Sequence, residues 1–107
     1  MNGPAKYMGF LIDTGADFTL VSRSSAFSIG LDYSKISSPE IKIEVASLAT
    51  IMTKKVELIM TIEGRNLLIP ILIANQEVEN LLGRKGIFDY YDVTFQQREG
   101  RVIFTEV

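Results

Sequence analysis

In a chain with no histidine and no cysteine, acid–base chemistry falls to carboxylates, lysine or tyrosine. The carboxylate with most to explain is Asp13, at the head of Asp13-Thr14-Gly15-Ala16-Asp17. It follows the apolar run Phe10-Leu11-Ile12, long enough for a buried strand and too short to specify a helix. Small residues directly after it suit a tight loop in which backbone approaches a ligand, and Gly15 brings the dihedral freedom such a loop can require. Asp, Thr and Gly are also ordinary turn residues, so residues 10–17 alone leave a reactive loop and a plain strand-ending turn evenly matched. Lack of His and Cys removes most Ser-His and Cys-His hydrolases, thiolate nucleophiles, Cys-based zinc sites and most catalytic zinc sites. No metal and no cofactor is expected. Phosphoryl transfer through Asp13 would want a second acidic residue two positions on to hold magnesium, where Gly15 stands. No carboxylate spacing supports a glycosidase pair.

The elements that must position Asp13 belong to a chain of 107 residues, 47% hydrophobic and without Trp. That predicts a single packed domain over residues 1–107, burying roughly 60–70% of its unfolded surface. A net charge of −2 gives no electrostatic reason to expect nucleic acid or anionic membrane as partner. The most apolar window, Leu67–Ala74, is too short for a membrane span and contains Pro70, and no charged-then-apolar signal opens the chain. The expectation is a soluble, intracellular protein, placed in the cytoplasm.

Along the chain, Asn2-Gly3 is a hairpin signal with almost nothing before it, read either as a frayed start or as the sign of an upstream strand. Phe18–Val21 reads as a short strand. Ser22 offers an N-cap to a short helix over Arg23–Ile29 that Gly30 closes, and Tyr33–Pro39 reads as loop. From Ile41 the period is two: Ile41, Ile43 and Val45 share one face, with Lys42 and Glu44 on the other. Val56, Leu58, Met60 and Ile62 repeat the pattern, with Ile59 as the exception. Between them, Ala46–Lys55 reads as a long, partly apolar hairpin tip. Glu63–Asn66 is a turn, and Leu67–Ala74 a buried strand in which Pro70 must sit at an edge or local break. Leu81-Leu82-Gly83-Arg84 is a second short apolar run ending in Gly. A short helix is predicted over Lys85–Tyr90, then a terminal hairpin of Val93–Gln96 and Arg101–Glu106. The class is mainly β with one or two short helices and no internal repeat.

An apolar triplet before Asp13-Thr14-Gly15-Ala16, a hairpin with a tip, then Leu81-Leu82-Gly83-Arg84 near the C-terminus resembles the retropepsin-like aspartic proteases in order and over nearly the whole chain. The resemblance implies a small, closed, β-barrel-like acid protease fold acting as a homodimer. In that family the apolar-apolar-Gly element supports the Asp loop, and the Arg after the Gly pairs with an acidic residue two positions past the active-site Gly. Gly83, Arg84 and Asp17 match those positions as structural support. The tip, Ala46, Ser47, Leu48, Ala49, Thr50 and Ile51, matches the substrate-binding flap, although it lacks the glycine usual there.

Peptide hydrolysis by carboxylates needs one ionised group to take a proton from water and one protonated group to polarise the carbonyl. The chain has one Asp-Thr-Gly, and Asp32, Asp89 and Asp92 are followed by Tyr, Tyr and Val. The resemblance therefore implies two chains about a twofold axis, Asp13 facing its symmetry mate as the catalytic pair and sharing one proton. Thr14 is expected to bond across the axis, Gly15 and Ala16 to leave room for an extended peptide substrate, and the flap to exclude water. The alternative is a non-catalytic dimerisation or peptide-binding module on the same fold.

Overall fold

The structure, a computed structural model, describes residues 8–13, 15–45, 49–88, 90–96 and 101–106. Thr14, the tip residues Ala46, Ser47 and Leu48, and the turn expected over Gln97–Gly100 lie outside the described residues, as does Asn2-Gly3. Among the described residues the strands are β1 (Leu11–Ile12), β2 (Thr19–Val21), β3 (Glu40–Glu44), β4 (Thr50–Ile62), β5 (Arg65–Ala74), β6 (Leu81–Leu82), β7 (Tyr91–Gln96) and β8 (Arg101–Glu106), with one α-helix, α1 (Arg23–Ser28). Six strands form a sheet in the order β1-β6-β2-β5-β4-β3, and β7 and β8 form a separate antiparallel hairpin.

The β4–β5 hairpin is the frame. Its register runs from Thr53 opposite Ala74 to Ile62 opposite Arg65. The two-residue loop Glu63-Gly64 has φ of 51° and 75°. Positive φ at both positions is what a tight I′ hairpin loop demands, and it matches the twist of the flanking strands. The period-two pattern decides which side faces in: Val56, Leu58 and Met60 are half-buried and Ile62 buried, while Glu57, Ile59 and Thr61 are exposed. Ile59 lies opposite Leu68, and the two are 60% and 64% exposed, so the irregular apolar residue ends up on the solvent face. Pro70 sits opposite Glu57 just before β5 begins pairing with β2 at Ile71. With a neighbour on one side alone there, its missing N–H need forfeit no ladder bond.

β2 runs parallel to β5, Thr19 to Val21 beside Ile71 to Ile73, and all three of its residues are buried. The main core gathers Val21, Ile62, Leu67, Ile69, Ile71, Ile73, Leu82, Ile87 and Tyr91, with Ala26 from α1. A smaller cluster of Leu20, Ile51, Leu72 and Ala74 fills the other face. Helix α1 starts as the sequence predicts: the Ser22 hydroxyl accepts from the Ser25 N–H at 3.2 Å, and Gly30, at φ 91°, follows its end.

The structure departs from expectation in several places. The hairpin tip is shorter, because β4 already begins at Thr50 and the Val45 N–H donates to the Ala49 carbonyl. Ile51, expected in the flap, is buried against Leu20, Leu72 and Ala74. No helix forms over Lys85–Tyr90 among the described residues; Gly86 has φ 80°, outside the right-handed helical region, and the segment is a run of turns bonded back to Arg84 and Ile87. Tyr33–Lys35 is a 3₁₀ turn capped by Asp32. Finally, the expected closed barrel is an open, curled half-barrel among the described residues, with β1 and β3 as its two edges.

Candidate active site

Asp13 stands immediately after β1, the strand that carries it to the sheet edge. β1 is only two residues long, so its position depends on its neighbour. β6 pairs parallel with it, Leu11 beside Leu81 and Ile12 beside Leu82, and also pairs antiparallel with β2 through Leu81 and Leu20. The Leu11 N–H donates to the Asn80 carbonyl at 2.9 Å and the Asp13 N–H to the Leu82 carbonyl at 3.0 Å. β6 is thus the splint between the strand before the Asp loop and the strand after it. Leu11, expected in a buried strand, is 55% exposed on this edge.

The loop is held from inside as well. The Gly15 N–H donates to Asp13 Oδ1 at 3.0 Å, and the Ala16 N–H donates to the Asp13 carbonyl at 3.1 Å. An ionised carboxylate accepts hydrogen bonds only, so this N–H fixes one oxygen and leaves the other to address what comes before it. Asp13 is half-buried, and Gly15 and Asp17 are exposed.

On its far side the loop is tied to the segment after β6. The Arg84 N–H donates to the Ala16 carbonyl at 3.0 Å and the Lys85 N–H to the Asp17 carbonyl at 2.8 Å. Gly83 is what lets the two backbones meet: a Cβ there would lie 2.3 Å from the carbonyl carbon and oxygen of Phe18. The Gly83 N–H, buried, donates to Thr19 Oγ1 at 3.0 Å. Thr19 is fully buried, and this bond satisfies a hydroxyl that would otherwise be costly there. Sequence reasoning passed over Thr19; the available signal was a single polar side chain in an otherwise apolar triplet.

Asp13, Gly15, Ala16, Asp17, Gly83 and Arg84 therefore come together, but not by the ion pair expected of Asp17 and Arg84. Among the described residues the one ion pair is Arg65 with Glu106, at 3.7 Å. Both side chains of the expected pair are exposed, where such a pair gains little against the entropy of holding two side chains still. Main-chain bonds tie the elements instead. Ala49 and Thr50 are exposed at the foot of the hairpin tip, whereas Ile51 belongs to the core.

A second network braces the same splint. Asn80 Oδ1 accepts from the Ser22 N–H at 2.8 Å, while its amide nitrogen donates to the Gly9 carbonyl and to Ser25 Oγ. One side chain thus links the approach to β1, the cap of α1 and the start of β6.

The curled, mainly-β sheet with one short helix matches a retropepsin-like fold. Among solved structures, the chain is similar to an EIAV protease in complex with the inhibitor HBY-793, with a TM-score of 0.53 and 20% sequence identity over 70% of this chain and 68% of that chain. At that identity the likeness speaks to the fold. No protein-family profile matches the chain, and no curated protein does. Among the described residues, no helix is long and apolar enough to cross a membrane.

Proposed function

We propose that the chain is an aspartic endopeptidase that hydrolyses peptide bonds with a water activated by two Asp13 carboxylates, one from each protomer of a symmetric homodimer. The observation that carries this reading is the placement of Asp13: half-buried after an edge strand, one oxygen bonded to the Gly15 N–H, its loop splinted by β6. The lack of His and Cys supports it by leaving carboxylates as the natural acid–base groups. β1, beside Asp13, is an edge strand of the sheet among the described residues, which leaves that edge open to a partner.

In this mechanism the paired carboxylates, at about 3 Å, cannot both ionise and so hold one proton between them. The ionised Asp13 takes a proton from water as it attacks the carbonyl carbon; the protonated one donates to the carbonyl oxygen. Collapse of the tetrahedral intermediate breaks the C–N bond and passes a proton to the leaving amine. Thr14 bonds across the axis, Gly15 and Ala16 leave room for the extended substrate, and residues 46–50 cover it.

A non-catalytic dimerisation or peptide-binding module is the second reading, favoured by one feature: residues 46–51 contain no glycine to bring backbone close to a substrate. Incubation with a diverse peptide library between about pH 3 and 7 separates the two, run beside an Asp13→Asn variant that keeps the wild-type circular dichroism and solution mass. The endopeptidase reading expects cleavage that falls by about 10²–10⁴-fold in the variant. Equal products from both proteins, or none from a folded dimer, would contradict it.

A further inference from the structure

Beside the Asp loop lies a cleft of about 400 Å³ lined by Asp17, Arg84, Lys85 and Phe88. Its walls are not loosely apposed, since the Arg84 and Lys85 N–H groups are the ones that bond the Ala16 and Asp17 carbonyls. Asp17, on its wall, is four residues after Asp13 in the same loop. Half-buried Phe88 gives the cleft an apolar wall against which methylenes can pack.

The charges in it do not cancel. Arg84, Lys85 and Asp17 are all exposed, and none of them takes part in the one ion pair among the described residues. Among the described residues, two cations and one carboxylate line the cleft. Arg84 brings a planar fork that fits a carboxylate through two parallel hydrogen bonds, and Lys85 a mobile point charge. Asp17 alone would favour a basic ligand; the two cations beside it reverse that sign.

The geometry points to this cleft as a subsite for a carboxylate-bearing side chain of the extended peptide, a few residues from the bond at Asp13. The inference rests on the reading that an extended peptide lies along the Asp13 loop. Because the cleft is open to solvent, the selectivity is modest, about two- to fivefold between an acidic side chain and its amide, and it weakens with salt.

The test uses a peptide series carrying Glu, Gln or Lys at one position, stepped along an otherwise constant sequence. Cleavage is followed with the wild-type protein and binding, by fluorescence anisotropy, with Asp13→Asn. At one position, the Glu peptide is expected to exceed Gln by about two- to fivefold and Lys to be worst. That advantage should fade as salt rises from about 0.05 to 0.5 M, shrink in Lys85→Gln and persist in Lys85→Arg. Equal use of Glu and Gln at every position, a preference for Lys, or a Glu preference unchanged by Lys85→Gln overturns the subsite while leaving the endopeptidase reading intact. Selective binding without cleavage upholds the subsite and overturns the endopeptidase instead. Neither binding nor cleavage overturns both.

Discussion

Asp13 could be found from residue type and spacing because a reactive carboxylate in a small-residue loop is a local pattern. The residues that hold it were harder to read, since their roles exist only once distant segments meet. Thr19 is separated by 64 positions from Gly83, and nothing in Thr19-Leu20-Val21 announces that its hydroxyl will accept the Gly83 N–H. Gly83 itself was legible as a small residue after an apolar pair, but its reason is that a Cβ there would lie 2.3 Å from the Phe18 backbone. Gly83→Ala must push two backbones apart, and overpacking of this kind costs about 1–3 kcal/mol or more. The expected outcome is a lower unfolding midpoint together with peptidase activity, assayed well below that midpoint, that falls further than the folded fraction. A variant with wild-type activity and stability would show that the close approach does not position the loop. Asp17 and Arg84 give the opposite lesson: complementary residue types predicted an ion pair, whereas exposed side chains gain little from pairing and the backbone already makes the connection.

At the scale of elements, α1 shows how a short helix is held. With six residues it is well below the length at which helices stand alone in water. The Ser22 cap was legible; its partner was not. The Ser24 N–H donates to Glu77 Oε2 at 2.9 Å and the Ser24 hydroxyl to Glu77 Oε1, and these bonds hold the Glu77 carboxyl below its usual value of 4.5. A carboxylate whose pKa is lowered by folding stabilises the fold above its unfolded value, and that contribution is lost as pH falls below about 4.5 and through the folded value. Thermal unfolding between about pH 7 and 3 should therefore show a shallower acid decline in Glu77→Gln than in the wild type. Parallel curves would mean that Glu77 keeps no such bond in solution. Among the described residues, the helix expected over Lys85–Tyr90 failed for a local reason that a sequence conceals, namely that Gly86 takes a positive φ, at a site where a Cβ would lie 2.7 Å from Ile69 Cγ2.

Across the whole molecule, alternation told which residues of β4 face in, and the structure agrees; Leu67–Ala74, expected to be a buried strand, leaves Leu68 exposed. Alternation could not tell strand order, because β6 inserts between β1 and β2 from far along the chain. The burial pattern makes a paired prediction. Ile73, fully buried in the main core, should lose about 2–5 kcal/mol on change to Ala. Ile59, on the outer face, should change stability by about 0.5 kcal/mol or less on replacement by Thr. Urea unfolding measures both, and comparable losses at the two sites would contradict the assignment of faces.

The proposed endopeptidase depends on two chains meeting at one site, which subunit mixing tests most directly. Wild-type and Asp13→Asn protein are unfolded together, refolded at constant total concentration, and assayed for peptide cleavage as the wild-type fraction is varied. If each site needs an Asp13 from both protomers, activity follows the square of that fraction, falling to about one quarter at equal mixing. A linear dependence, with about one half remaining at equal mixing, would contradict the paired-carboxylate mechanism.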